Sequence, residues 1–226
     1  MTLEHVNILI EIIVFLFAIS VHESAHAWMA LRNGDPTAYM LGRVTLNPIK
    51  HIDPVGTVIL PILAYLSHFP IIGWAKPTPV NRRNFKNIVK SDILTSVAGP
   101  VSNMLVAIGA VILLLLIALT SAQGHAIVHN LALGGATDTG SFLMPTGLIL
   151  YQAMMINVLL AVFNLIPIPP LDGSHVLRHF LPYSALRMYD SMGMIALVAF
   201  MLLGGRVLGL LFFPVVGVLR AILLSV

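Results

Sequence analysis

The sequence predicts an all-α polytopic membrane protein with five to six membrane helices and a short re-entrant or β-like loop. Three observations carry that prediction. Hydrophobic residues make up 58% of the 226-residue chain and charged residues only 9%, whereas a soluble domain carries about 25% charged residues. Apolar runs long enough to span a bilayer recur along the chain. Lys and Arg cluster between some of these runs and are missing between others, as expected of loops on opposite sides of a membrane.

Each element follows from these patterns. Spanning helices need about 20 mostly apolar residues, and candidates lie at roughly 7–31, 92–120, 146–165, 188–204 and 206–225. A sixth apolar stretch, roughly 55–72, is shorter and carries Pro61 and Pro70. Basic residues flank it on both sides (Arg32, Arg43 and Lys50 before; Lys76, Arg82, Arg83, Lys86 and Lys90 after). A full crossing would put one basic cluster outside, so a re-entrant or interfacial helix agrees better with the charge rule. The segment 121–146 is Gly-rich and lacks Lys and Arg, as an external, partly structured loop would. Arg178 and Arg187 follow the third long span. The N-terminus then lies outside and the C-terminus in the cytoplasm, with Arg206 a mild misfit. The whole chain, 1–226, reads as a single membrane-embedded domain.

Composition also excludes. With no Cys there are neither disulfides nor thiolate metal sites. A net charge of +3 spread over loops makes no nucleic-acid patch. The N-terminus lacks the basic region and cleavage site of a secretory leader, so the first span serves as both signal and anchor.

Three ionisable groups interrupt the first span. His22-Glu23-Ser24-Ala25-His26 is H-E-x-x-H. On a helix, residues four apart share a face, so both imidazoles reach one ion, and Glu23 falls where it takes a proton from activated water. With this composition the three fixed positions arise by chance about 0.005 times per chain. Ionisable groups within a membrane are costly and by default functional. Two further His-x-x-x-His pairs, His125/His129 and His175/His179, lack the following Glu and carry a weaker signal.

Catalytic zinc keeps three protein ligands and an open position, so a third donor is needed. The stretch 164–177, "NLIPIPPLDGSHVL", cannot continue a helix through its prolines. Asp172 follows the prolines, either as a zinc-binding carboxylate or as the N-cap of a new helix, and His175 is the second candidate ligand. In "AGPVSNML", 98–105, Gly99 and Pro100 admit a close neighbour. Asn103 there offers an amide to an oxyanion or an interhelical hydrogen bond.

Together "HESAH", "GWAKPTPVN" (73–81), "AGPVSN" and "NLIPIPPLDG" resemble the site-2 protease family of intramembrane zinc metalloproteases, in its short form without PDZ or CBS domains. The resemblance implies one zinc ion held by His22, His26 and Asp172, with Glu23 activating water. It implies Asn103 and Asn164 as catalytic contacts to substrate backbone or intermediate. It further implies a transmembrane protein or peptide as substrate, in a prokaryotic inner membrane with the active site towards the cytoplasm. "NRRNF" at 81–85 departs from the family pattern, which has Pro after the Asn. Pro77 and Pro79 limit the 73–81 loop to an edge strand near the active site. Such an edge would pair with unwound substrate, or Trp74 would anchor the loop at the interface. A divalent-metal transporter is the competing function and gives no reason for Glu23 at its offset; a membrane scaffold packed through Gly205–Gly209 is a third and would need the metal ligands to be dispensable.

Overall fold

The structure, a computed structural model, describes residues 3–59, 75–135 and 143–226, the side chains of a few of these excepted. Among the described residues it is helical, with no β-strand. The long helices are α1 (Leu3–Arg32), α3 (Ile88–Thr120), α5 (Leu143–Asn164), α7 (Tyr183–Leu203) and α8 (Gly205–Leu224); α2 (Thr37–Met40), α4 (Ala122–Leu133) and α6 (Asp172–Leu177) are short. Four stretches are long and apolar enough to cross a bilayer: Asn7–Arg32, Ile88–Thr120, Leu143–Asn164 and Gly205–Leu224. A fifth span is α7 if its two halves count as one, since it bends by 66° between Ser191 and Ile195. The span expected at roughly 188–204 thus holds a bend.

Two compact units divide the chain, one of residues 1–18 and 100–226, the other of residues 19–99. In the first, α4 packs against α5 and α8, and α7 against α8. The core joins Leu114 of α3, Ile127 and Val128 of α4, Tyr151 and Met154 of α5 and Leu223 of α8. Two charged side chains of this unit have neutral hydrogen-bond partners. Arg220 Nε donates to the Tyr151 hydroxyl at 2.8 Å, and Gln152 Nε2 donates to Glu11 at 3.2 Å.

The 121–146 loop holds more structure than its Gly content suggests. Ser121 caps α4 by accepting from Gly124 N at 2.9 Å, and Gly134 ends it in the left-handed conformation, the usual stop signal. Of the stretch 55–72, Pro54–Ile59 forms a π-helical turn; the rest lies outside the described residues, as do Gly73 and Trp74.

The second unit is built around the inner part of α1. Residues 75–81 run without helix or strand, and hydrogen bonds fasten them. Arg43, buried, donates to the carbonyls of Lys50 and of Pro77 at 3.1 Å. Lys76 N donates to His51 O at 2.9 Å. Fully buried Asp35 accepts from Asn81 N at 2.7 Å and Asn84 Nδ2 at 2.8 Å, and from both donors of Thr37. Burial pushes the Asp35 carboxyl up, but these hydrogen bonds outweigh it and hold it below its ordinary value of 3.8.

Candidate metal centre

The histidine pair lies in the second unit, on α1, between Ala18 and Ala27, both fully buried. Small side chains at those positions let neighbours come close, which is how polar groups inside a membrane gain partners instead of lipid. His22 and His26 are buried, with 6% and 7% of their surface exposed. Their rings meet edge-on, centroids 4.6 Å apart, and the two Nε2 atoms are 3.0 Å apart.

The other ring nitrogen of His26 fixes its tautomer. Nδ1 lies 2.7 Å from the carbonyl oxygen of Thr95 on α3, and a carbonyl only accepts, so Nδ1 carries a proton, and in the neutral ring Nε2 keeps its lone pair. A backbone carbonyl behind a ligating imidazole is the usual outer support of a metal site. Gly99, one turn along α3, completes the cradle. A Cβ there would sit 2.4 Å from His26 Nε2 and 2.6 Å from His22 Nε2, so only glycine lets both rings fit. Two converging imidazole nitrogens, one with an enforced lone pair, suit zinc.

Glu23 stands beside the pair. Its Oε2 accepts from Thr78 N at 2.9 Å and Thr78 Oγ1 at 2.7 Å. Thr78 Oγ1 also lies 3.0 Å from the Glu23 carbonyl.

In the first unit Asp172 opens α6, half-buried. It is not the N-cap: that position is Leu171, which makes no side-chain cap bond. The turn before it is tight because Gly173 presses on Leu165, where a Cβ would meet the carbonyl oxygen at 2.2 Å. The bond between Pro169 and Pro170 is cis. His175, one turn further along α6, is also half-buried.

Asn103, fully buried, uses both amide protons at once. Nδ2 donates to Ala18 O at 3.1 Å and to Asn157 Oδ1 at 2.7 Å. Asn164 Nδ2 donates back to Leu160 O at 2.9 Å. Sequence reasoning passed over Asn157, although an amide inside an apolar span was signal enough. It also passed over Thr78 and Asp35. Thr95 left no signal at all, since its backbone carbonyl does the work.

Residues 10–204 match peptidase family M50. The chain belongs to peptidase family M50, the site-2 protease family. It is accordingly a zinc-dependent metalloprotease and an integral membrane protein, as the sequence leads one to expect. Two relatives carry the words zinc metalloprotease in their names. YwhC of Bacillus subtilis (strain 168) is 37% identical over 171 residues, covering 76% of this chain and 68% of YwhC. Rip2 of Mycolicibacterium smegmatis (strain ATCC 700084 / mc(2)155) is 31% identical over 176 residues, covering 76% of this chain and 57% of Rip2. No solved structure matches the chain.

Proposed function

We propose that this M50 protease hydrolyses a peptide bond in or near the transmembrane segment of another membrane protein, within a single membrane-embedded catalytic domain. The observation that carries the reading is the buried pair of His Nε2 atoms, 3.0 Å apart, with Glu23 adjacent, inside the candidate span Asn7–Arg32. A hydrolytic centre at that depth meets substrates that are themselves in the membrane.

His22, His26 and Asp172 would hold one zinc ion: two imidazoles and a carboxylate are a catalytic ligand set that leaves one position open. Zinc, when bound, polarises the scissile carbonyl and lowers the pKa of water to about 7. Glu23 would take the proton of the attacking water and pass it to the leaving amine. Asn103 and Asn164 would contact substrate backbone or the tetrahedral intermediate. Each would first exchange a bond it now makes, Asn103 with Ala18 or Asn157 and Asn164 with Leu160.

A helical substrate hides its carbonyls in its own hydrogen bonds, so it must unwind before attack. The stretch 75–81 is neither helix nor strand, and would offer an extended edge for pairing. Charge asymmetry supports a cytoplasmic position for the basic loops, and with them for the open side of the site; the family resemblance supports a prokaryotic inner membrane.

The test is metal analysis plus cleavage of a panel of membrane-spanning and soluble peptides by the purified protein and by Glu23→Gln. Equal metal content and loss of cleavage in the variant are expected. Wild-type rates in Glu23→Gln would remove the assigned base, and cleavage confined to soluble peptides would remove the membrane substrate.

A further inference from the structure

We propose that Thr78 is the positioning residue of the catalytic base: it holds the Glu23 carboxylate in one orientation and ties it to the segment that would receive substrate. This rests on the reading of Glu23 as the base.

The geometry is specific. Thr78 gives two donors to a single carboxylate oxygen, N–H at 2.9 Å and O–H at 2.7 Å. The hydroxyl has one proton and two acceptors in reach, and the shorter contact is to the carboxylate, not to the Glu23 carbonyl at 3.0 Å. Residues 55 apart in sequence are thereby joined at two points on one side chain.

The local sequence, Pro77-Thr78-Pro79, explains why this residue can do it. A residue before proline is driven to an extended backbone. Neither flanking proline has an N–H, so Thr78 supplies the sole amide proton of the three. Its β-branch restricts χ1, which keeps the hydroxyl on the carboxylate at little entropic cost. The strip itself is pinned on both sides of Thr78. Arg43 and His51 take Pro77 and Lys76, and Asp35 takes Asn81. A glutamate with three rotatable bonds is thus held by a short backbone segment that is itself held at three places. Any substrate pairing with the strip would bear on the same backbone that orients the base.

The test uses the full-length, zinc-loaded protein in lipid and a membrane-spanning peptide with a fluorophore and quencher that the wild type cuts. T78V keeps shape and amide but removes the hydroxyl proton. It should lower kcat about 10-fold or more, with KM and zinc content unchanged, and T78S should recover most of the rate. In an E23Q background T78V should add nothing further, because the group it positions is already gone. Independently of activity, E23A should speed hydrogen exchange in peptides covering residues 76–81. Wild-type kcat in T78V with E23Q inactive would overturn the role of Thr78 and leave the base assignment standing. Full additivity with E23Q, a change in KM alone, or unaltered exchange in E23A would also overturn it. Wild-type rates in E23Q would instead remove Glu23 as base, and the exchange result would then decide whether Thr78 holds the carboxylate at all.

Discussion

Two His-x-x-x-His pairs with the same helical spacing meet different fates in this chain. His22 and His26 are buried, edge-on at 4.6 Å, with a carbonyl behind His26 and a glycine against both rings. His125 and His129 lie on α4, with His125 exposed, their rings stacked 5.8 Å apart and 19° from parallel. Stacked rings lie face to face, and His125 Nε2 is turned to the Val226 carbonyl at 3.2 Å. Spacing places two imidazoles on one face; it does not aim their lone pairs at one point. Aim comes from what packs around them, which the second pair lacks.

The comparison can be broken from its strong end. His26→Ala should lose stoichiometric zinc and all detectable cleavage, while His125→Ala and His129→Ala should keep both; metal analysis and peptide cleavage on all three decide it. Comparable losses in the α4 variants would mean that spacing matters more than surroundings. Next in size is Glu23→Gln, with cleavage down about 10²–10⁴-fold and zinc retained. The α4 pair sharpens this. Ala126→Glu turns residues 125–129 into a second H-E-x-x-H, and in a His26→Ala background it should restore no cleavage.

A smaller effect is expected at the cradle. Gly99→Ala forces the rings apart and should weaken zinc binding about 10–100-fold, the range seen for outer-shell changes; competition with a chelating dye measures it. Affinity equal to wild type would show that the rings have room to spare.

The smallest effect concerns Asp35. Its carboxyl sits below 3.8 when folded, so its contribution to stability is complete above 3.8 and fades as pH falls through the lower folded value. Acid should therefore loosen residues 75–84 before neutral pH does, and Asp35→Asn should flatten that dependence. Hydrogen exchange of the segment at pH 3 against pH 7 would reveal it, and an unchanged pH dependence in the variant would count against it.

The parts legible in the sequence were those written in residue type. Apolar length marked α1, α3, α5 and α8, and H-E-x-x-H pointed to the candidate centre. What stayed hidden was written in backbone or in contact. Thr95 acts through a carbonyl that every residue owns, and Thr78 matters through partners 55 residues away. The bend in α7 falls in a run whose hydropathy reads as one span. Ser121 and Gly134 did mark the limits of α4, but Gly-rich composition masked a helix between them.

The length of α3 has its own consequence. Its 33 residues extend about 50 Å at 1.5 Å per residue, against a hydrocarbon slab about 30 Å thick. About a dozen residues must therefore run through headgroups or be taken up by tilt. Lys90, exposed near its start, falls in that excess, while Asp92 is buried and bonded to Arg82 at 2.8 Å. Thicker bilayers should then draw α3 more upright and thinner ones lay it over.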